Sequence, residues 1–297
     1  MTANIQLDLS VIIVNYNTAD FLVRCLNSVA LQSGVDSEVI VVDNCSQDGS
    51  SELLKNNFSW IKLITNDCNL GFSRANNQAL KVCSGKYIYY LNPDTEVRPE
   101  AFKAMIDFME SRPDVGLAGT RIVNPDGSPQ QSVESRYPGQ KHAVLELRGL
   151  SKDIAWVLGA SMIARRDLIQ ALEGFDERFF LYGEDLDLCV RVRKAGWSIG
   201  YISDAVVVHW GGQSERDSLP VEVWEKKFKA ESIFYHKHYS TKTIRAIERA
   251  NLAQAYWRVL TLSLMLPFSG KKEKIHAKME KYKLAVKMLK NAKKLNG

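Results

Sequence analysis

The chain has 297 residues, 45% hydrophobic and 25% charged, with 18 Gly and 8 Pro, which excludes wholesale disorder, a collagen-like repeat and a coiled-coil rod. Its net charge of +5 is unevenly placed: residues 271–297 hold ten Lys against two Glu, leaving 29 Lys and Arg against 32 Asp and Glu in the first 270. A domain coated for nucleic acid would carry positive charge throughout, so nucleic acid is not an expected partner.

The first half alternates short strands with helical patterns. Residues 9–14 form a continuous apolar run, as expected of a strand buried on both faces. Residues 19–32 then place Phe21, Leu22, Cys25, Leu26 and Val29 at helical spacing. A second strand over 38–42 ends at Asp43, and the turn 46–50 leads into a short helix, 52–57. A third strand (61–64), a helix (73–83), a fourth strand (87–91) and a helix (99–110, with Pro99 in its first turn) follow. Strands alternating with helices predict an α/β fold with a mostly parallel twisted sheet and flanking helices.

The second half is less regular. It predicts a strand over 115–119, a turn at Asn124-Pro125-Asp126-Gly127, a loop over 130–150, a buried segment over 155–164, a helix over 186–194 and two short strands within 198–209. From Pro220 onward the pattern is helical. The expected organisation is a catalytic domain, 1–218, and a C-terminal helical extension, 219–297, with a basic amphipathic tail.

Five scattered cysteines with no CxxC pair argue against a disulfide framework or zinc knuckle and point to a reducing compartment. Residues 1–10 carry Asp8 and no apolar core of a signal peptide. The apolar run 259–268 is half the ~20 residues that a spanning helix needs. A cytoplasmic protein is expected, with the inner face of the membrane as one candidate surface. In the tail, Ile275, Met279, Tyr282, Val286 and Leu289 form a narrow apolar stripe on a lysine-covered helix. That stripe suits either contact with an anionic membrane or packing on protein, including a second copy of the chain in a homodimer.

In an open parallel sheet, ligands bind beyond the carboxyl ends of the strands. Strand one delivers Asn15, Tyr16 and Asn17 there; strand two delivers Asp43 and Asn44; strand four delivers Asn92, Pro93 and Asp94. Neither GxGxxG nor GxxxxGK[ST] is present, so a dinucleotide fold or P-loop is poorly supported. Pro93 stiffens the turn that holds Asp94, a carboxylate able to bind Mg²⁺ or Mn²⁺ carrying a diphosphate; the same triplet also closes ordinary loops. Glu184 and Asp185 open a helix, whose N-terminus should keep Asp185 ionised and able to accept a proton, although acidic N-caps are common. His209 ends an apolar run before Trp210-Gly211-Gly212 and reads as an imidazole ligand or as a buried structural histidine.

Taken in order, the motifs are Val11-Ile12-Ile13-Val14-Asn15-Tyr16-Asn17, Val41-Val42-Asp43-Asn44, Asn69-Leu70-Gly71-Phe72 with Asn76-Asn77, Leu91-Asn92-Pro93-Asp94, Gly159-Ala160-Ser161-Met162, Gly174-Phe175-Asp176-Glu177, Gly183-Glu184-Asp185 and His209. Over residues 8–215 this series closely resembles the inverting family 2 glycosyltransferases, of the GT-A fold. The branch it most resembles is the bacterial rhamnosyltransferase-like one that builds cell-surface polysaccharides. The resemblance implies that Tyr16, Asn17 and Asp43 hold the base and ribose of a nucleotide-diphosphate sugar. It implies Asp94 and His209 as ligands of Mg²⁺ or Mn²⁺, and Asp185 as the catalytic base. Gly159, Ala160, Trp156, Asn92 and Glu184 would shape the sugar and acceptor site. Two departures stand out: the first acid of the family's DxD motif is Asn92, and the nucleotide-contacting Arg is Asn76, with Arg74 as substitute. The implied reaction moves a sugar, L-rhamnose from dTDP-rhamnose by branch resemblance, to a glycan or lipid-linked acceptor. UDP-hexose and UDP-galactofuranose are alternative donors. A sugar nucleotidyltransferase and a silent glycan- or nucleotide-binding scaffold are the rival readings.

Overall fold

The apolar run that begins at Leu9 has no exposed face, because helices pack on both faces of the sheet in which strands pair with it on each side. In the computed structural model, residues 7–150, 153–215, 218–270 and 272–295 are described, with side chains up to 290. The chain runs β1 (Leu9–Asn15), α1 (Ala19–Ala30), β2 (Ser37–Asp43), α2 (Ser50–Asn57), β3 (Lys62–Thr65), α3 (Phe72–Leu80), β4 (Tyr87–Leu91) and β5 (Thr95–Val97). It continues through α4 (Ala101–Ser111), β6 (Val115–Val123), β7 (Val133–Glu134), β8 (Trp156–Val157), β9 (Ser161–Arg165), α5 (Arg166–Ala171), α6 (Glu184–Lys194) and β10 (Ser198–His209). Three helices follow: α7 (Pro220–His238), α8 (Thr241–Met265) and α9 (Lys272–Leu295).

The main sheet has the order β3-β2-β1-β4-β9-β6-β10-β5. Pairing is parallel from β3 to β4 and between β6 and β10. It is antiparallel where β9 enters between β4 and β6, and where β5 joins the edge. Alternate residues of β1 serve opposite faces. Val11 and Ile13 join Leu22 and Leu26 of α1 and Phe102 and Met105 of α4, whereas Ile12 and Val14 join Ala75 and Ala79 of α3 and Leu188 and Cys189 of α6. This two-sided burial explains why the strands read as unbroken apolar runs.

Four segments differ from the sequence reading, each because pairing partners decided the outcome. Residues 198–209 form one strand rather than two; its pairing with β6 resumes after a register shift between Ile202 and Val206, and Ser203-Asp204-Ala205 form the bulge. β5 is only three residues long, too short to show a period, and exists by pairing with the end of β10. The stretch read as a loop contains β7, which pairs with β8. The buried segment 155–164 breaks at residues 158–160, so β8 and β9 lie in different sheets.

Residues 1–137 with 149–216 form one compact unit, and residues 138–148 with 217–297 form another. In the second, the Tyr239 hydroxyl donates to the Pro138 carbonyl at 2.6 Å, and Glu146 accepts from the hydroxyls of Thr243 and Ser240 at 2.6 and 2.8 Å. The Ser240 hydroxyl caps α8 by accepting from the Thr243 amide. The tail stripe is covered within this unit: Ile275 and Met279 of α9, with Tyr282, pack on Leu262 and Leu266. Among the described residues, no helix is long and apolar enough to cross a membrane.

Phe102 is 1% exposed and meets Tyr89 edge-to-face at 5.7 Å. Phe102→Ala should cost about 3–5 kcal/mol of stability through the cavity it leaves, as read by urea unfolding.

Candidate active site

The carboxyl edge of the parallel strands is built from asparagines that bond to one another's loops. Asn15 and Asp43 are register partners across β1 and β2. Asn15 Nδ2 donates to Asp43 Oδ1 at 2.8 Å and to Ser46 Oγ at 3.0 Å, while its Oδ1 accepts from the Thr18 hydroxyl at 2.6 Å. Asn17 takes a positive φ of 53°, which Asn tolerates, and braces the same loop: its amide donates to Ser46 Oγ and its Oδ1 accepts from the Gln47 amide at 2.7 Å. Tyr16 lies between them, half-buried. Asn44 performs the matching task for the next loop, accepting from the Leu70 amide and Asn66 Nδ2 and donating to Asn69 Oδ1.

That loop leads to Gly71, at φ 83°, where a Cβ would stand 2.7 Å from both the ring and the carbonyl of Phe180. The close approach lets the Phe72 amide donate to the Phe180 carbonyl at 2.7 Å, which ties α3 to the segment ahead of α6. Asn77 adds a reciprocal pair with the Phe175 amide and carbonyl, both at 2.9 Å. Neither expected nucleotide contact on α3 is free: Arg74 is half exposed and paired with Glu177 at 2.9 Å, and Asn76 donates to the Phe72 carbonyl of its own helix.

Beyond β4, Asn92 donates its amide to the Ala160 carbonyl at 2.9 Å, while its Oδ1 is buried without a partner. Two residues on, Asp94 is 4% exposed and lies with Oδ1 3.4 Å from His209 Nε2. The Trp210 amide donates to the Asp94 carbonyl, and the Trp210 ring packs on Phe21 of α1. On the other side of the imidazole, Nδ1 meets Gln130 Oε1 at 2.8 Å. An amide oxygen only accepts, so Nδ1 donates to it, and Nε2 is left directed at Asp94. A proton or a cation between Nε2 and Asp94 Oδ1 would satisfy both atoms. Asp94 and His209 are therefore the groups that could hold a divalent ion, with the Asn92 carbonyl oxygen nearby in sequence. Among the described residues no group of three or more His, Cys, Asp or Glu is arranged to hold a metal, so further donors would have to come from a ligand or water.

Asp185 sits in the first turn of α6 and is 8% exposed. Its Oδ2 accepts from the Gly159 amide at 2.9 Å and its Oδ1 from the Leu186 amide at 2.7 Å. Burial pushes its carboxyl up from the ordinary value, and the two amides hold against that rise. This differs from the sequence expectation in degree: the helix start supplies one of the donors, but desolvation outweighs it. Glu184 is shifted further, well above its ordinary 4.5, by burial and then by the charge of Asp185, and its Oε2 has no partner.

The structure thus links Asp185, Gly159, Ala160, Asn92, Asp94 and His209 in one run of contacts and sets Tyr16, Asn17 and Asp43 at the neighbouring strand ends. Trp156 stands apart in the β7–β8 ribbon, its Nε1 donating to the Arg136 carbonyl at 3.2 Å. Gln130 and Arg191 escaped sequence reasoning, which names Asn77 within a motif but gives it no role. Arg191 pairs with the fully buried Asp187 at 2.7 Å and donates to the carbonyls of Leu172 and Gly174, which fixes the loop before α6. Its spacing from Asp187, four residues along a helix, was the available signal.

Residues 10–172 match the family described as Glycosyl transferase family 2, and the chain belongs to that family. It is therefore a glycosyltransferase that takes its sugar from a nucleotide-sugar donor, and its fold is GT-A. It is 29% identical over 231 residues to an N-acetylglucosaminyl-diphospho-decaprenol L-rhamnosyltransferase of Mycobacterium tuberculosis, a match covering 68% of this chain and 75% of that one. It is 26% identical over 224 residues to the low-salt glycan biosynthesis hexosyltransferase Agl10 of Haloferax volcanii, covering 68% and 67%. The S. aureus TarS 1-349 structure superposes with a TM-score of 0.55 at 17% identity, over 98% of this chain and 92% of that one. The mannosyltransferase PcManGT of Pyrobaculum calidifontis, solved with GDP-Man and Mn²⁺, gives 0.51 at 17%, over 97% and 74%.

Two measurements test this geometry. Gln130→Ala frees the His209 ring and should lower Mn²⁺-dependent donor affinity by roughly 10–100-fold, with Gln130→Glu, which keeps an acceptor, restoring most of it. Because the folded-state pKa of Glu184 is raised, its contribution to stability is present below 4.5 and lost as pH rises through the raised value. Glu184→Gln should therefore raise the melting temperature by roughly 2–4 °C above neutrality and leave it unchanged in acid.

Proposed function

We propose that this protein transfers L-rhamnose from dTDP-rhamnose to a hydroxyl of a glycan or lipid-linked acceptor, with inversion at the anomeric carbon. The donor assignment is supported by the rhamnosyltransferase relative, whose match spans two-thirds of the chain. A UDP-hexose is the second reading, favoured by the TarS neighbour solved with UDP-GlcNAc and by the hexosyltransferase relative.

One observation carries the mechanism. Asp185 bonds to the Gly159 amide, and the next residue, Ala160, bonds to Asn92 at the head of the turn that holds Asp94. A proton acceptor and the residues suited to a diphosphate are thereby fixed in one frame. Each Asp185 oxygen uses one lone pair on an amide and keeps another for an acceptor hydroxyl. Asp185 takes that proton as the hydroxyl oxygen attacks the anomeric carbon, and the bond to the diphosphate breaks on the opposite side. Burial serves this role, since a carboxylate with a raised pKa is a stronger base.

Asp94 and His209 would hold Mg²⁺ or Mn²⁺. The unpartnered Asn92 Oδ1 and the juxtaposed Asp94 carboxylate and His209 Nε2 fit a hard cation. When bound, the ion would supply charge stabilisation to the departing diphosphate. With Asn in place of the first DxD acid, the protein contributes one less negative charge there, which favours weak, donor-assisted metal binding. Asp94 and His209 are in contact and Asp185 is tied to their turn through Gly159, Ala160 and Asn92, which weighs against a silent scaffold.

Thermal-shift titration with dTDP-, UDP- and GDP-sugars, with and without Mn²⁺, should select dTDP-rhamnose. Asp185→Asn should lower transfer by roughly 10²–10⁴-fold while leaving donor affinity nearly unchanged. The wild-type rate should fall as pH drops through the raised Asp185 pKa, with an acid limb above the ordinary carboxylate range. Full activity in the Asn variant would sink the assignment of the base.

A further inference from the structure

The second unit carries charge and apolar surface that sugar transfer does not use. Residues 138–148 and 217–297 hold 20 Lys and Arg against 8 Asp and Glu, a net of +12, while the rest of the chain is at −7. Within that unit, α8 has two apolar sides. One is occupied by the tail stripe of α9. The other is bare: Trp257, Leu260 and Leu264 are 63%, 54% and 65% exposed, and Phe268, on the turn that ends the helix, is 91% exposed. Spacings of three and four residues put the first three on a single face, with Tyr256 and Met265 at its margins. Residues 259–270 contain no charged side chain, and Arg258 and Lys272 bracket them.

We propose that this face of α8 docks the protein on an anionic lipid bilayer, lying in the interface with its aromatic and leucine side chains inserted and the lysines of the same unit around it. Charge selects the occupant. A unit of net +12 is drawn to anionic headgroups, whereas a second copy would bring another +12 against it. A mixed Trp, Phe and Leu face beside basic residues is the composition of helices that lie on membranes, and the helix is not apolar enough to cross one. The first part of the tail's own apolar stripe, Ile275 and Met279, is already buried, so its lysines supply attraction while α8 supplies insertion. The inference goes beyond sugar transfer and is tested without any sugar donor, so its failure leaves the proposed reaction untouched.

The experiment is co-sedimentation of the full chain with vesicles of phosphatidylcholine alone and of phosphatidylcholine mixed with phosphatidylglycerol. The protein should sediment with the anionic vesicles only, and less so at high salt. Trp257→Ser, Leu264→Ser and Phe268→Ser combined should lower the partition coefficient on the order of tenfold or more, because membrane affinity scales with inserted apolar area. All three positions are mostly exposed, so circular dichroism and melting temperature should match the wild type. Leu260→Glu alone should weaken binding in the same direction. Equal sedimentation of the triple variant, or no binding by the wild type, would overturn the proposal. So would sedimentation velocity showing a dimer that the triple variant dissolves while vesicles bind neither protein; the face would then be a contact between copies.

Discussion

The hydrogen bond from the Gly159 amide to Asp185 holds the site together. A carboxylate that is 8% exposed must find donors inside the protein, and here both are backbone amides. Glycine eases that approach, since a Cβ at residue 159 would stand 3.2 Å from the Asp185 Cβ. The same turn starts β9, which pairs antiparallel with β4 so that Ser161 faces Leu91. Inserting an antiparallel strand into a parallel sheet therefore does more than complete the sheet. It brings the Gly159 amide, one of the two donors to Asp185, alongside the end of β4, where Asn92 and Asp94 begin.

Much of the polar chemistry at this edge is architectural. Asn15, Asn17 and Asn44 satisfy loop amides and hydroxyls, and Asn77 fixes the segment that leads to α6. These side chains do across the ends of strands what backbone ladders do within the sheet, because a loop that turns back over a buried edge leaves amides that water cannot reach. What remains without a protein partner is informative by contrast. Asn92 Oδ1 and Glu184 Oε2 are buried and unpaired, and His209 Nε2 lies 3.4 Å from Asp94 Oδ1. Buried polar atoms cost stability unless something satisfies them, so these atoms are suited to a polar ligand.

Charge divides the chain as sharply as packing does. The unit that contains the sheet is mildly acidic, and the helical unit carries the positive excess. The basic tail is amphipathic in sequence, and its apolar stripe is closed by α8, so the sequence pattern there describes an internal packing surface. The uncovered stripe lies one helix earlier. The transferable point is that an amphipathic signal identifies a face that will be buried and leaves open what buries it.

The sequence by itself determined the alternation of strands and helices, the two-sided burial of β1, the polar strand tips and the motifs that carry the family resemblance. Those features are local: they follow from period, from turn chemistry and from the residues that end each apolar run. Only the tertiary structure decided that 198–209 is one bulged strand, that β5 exists, that Arg74 and Asn76 are engaged with Glu177 and Phe72, and that Gln130 orients His209. Each of these depends on a partner at least thirty residues away or on competition between acceptors, except the Asn76 bond, which depends on side-chain rotamer. No window of sequence contains that information, because pairing across a sheet and the burial of a carboxylate are settled by what folds against them.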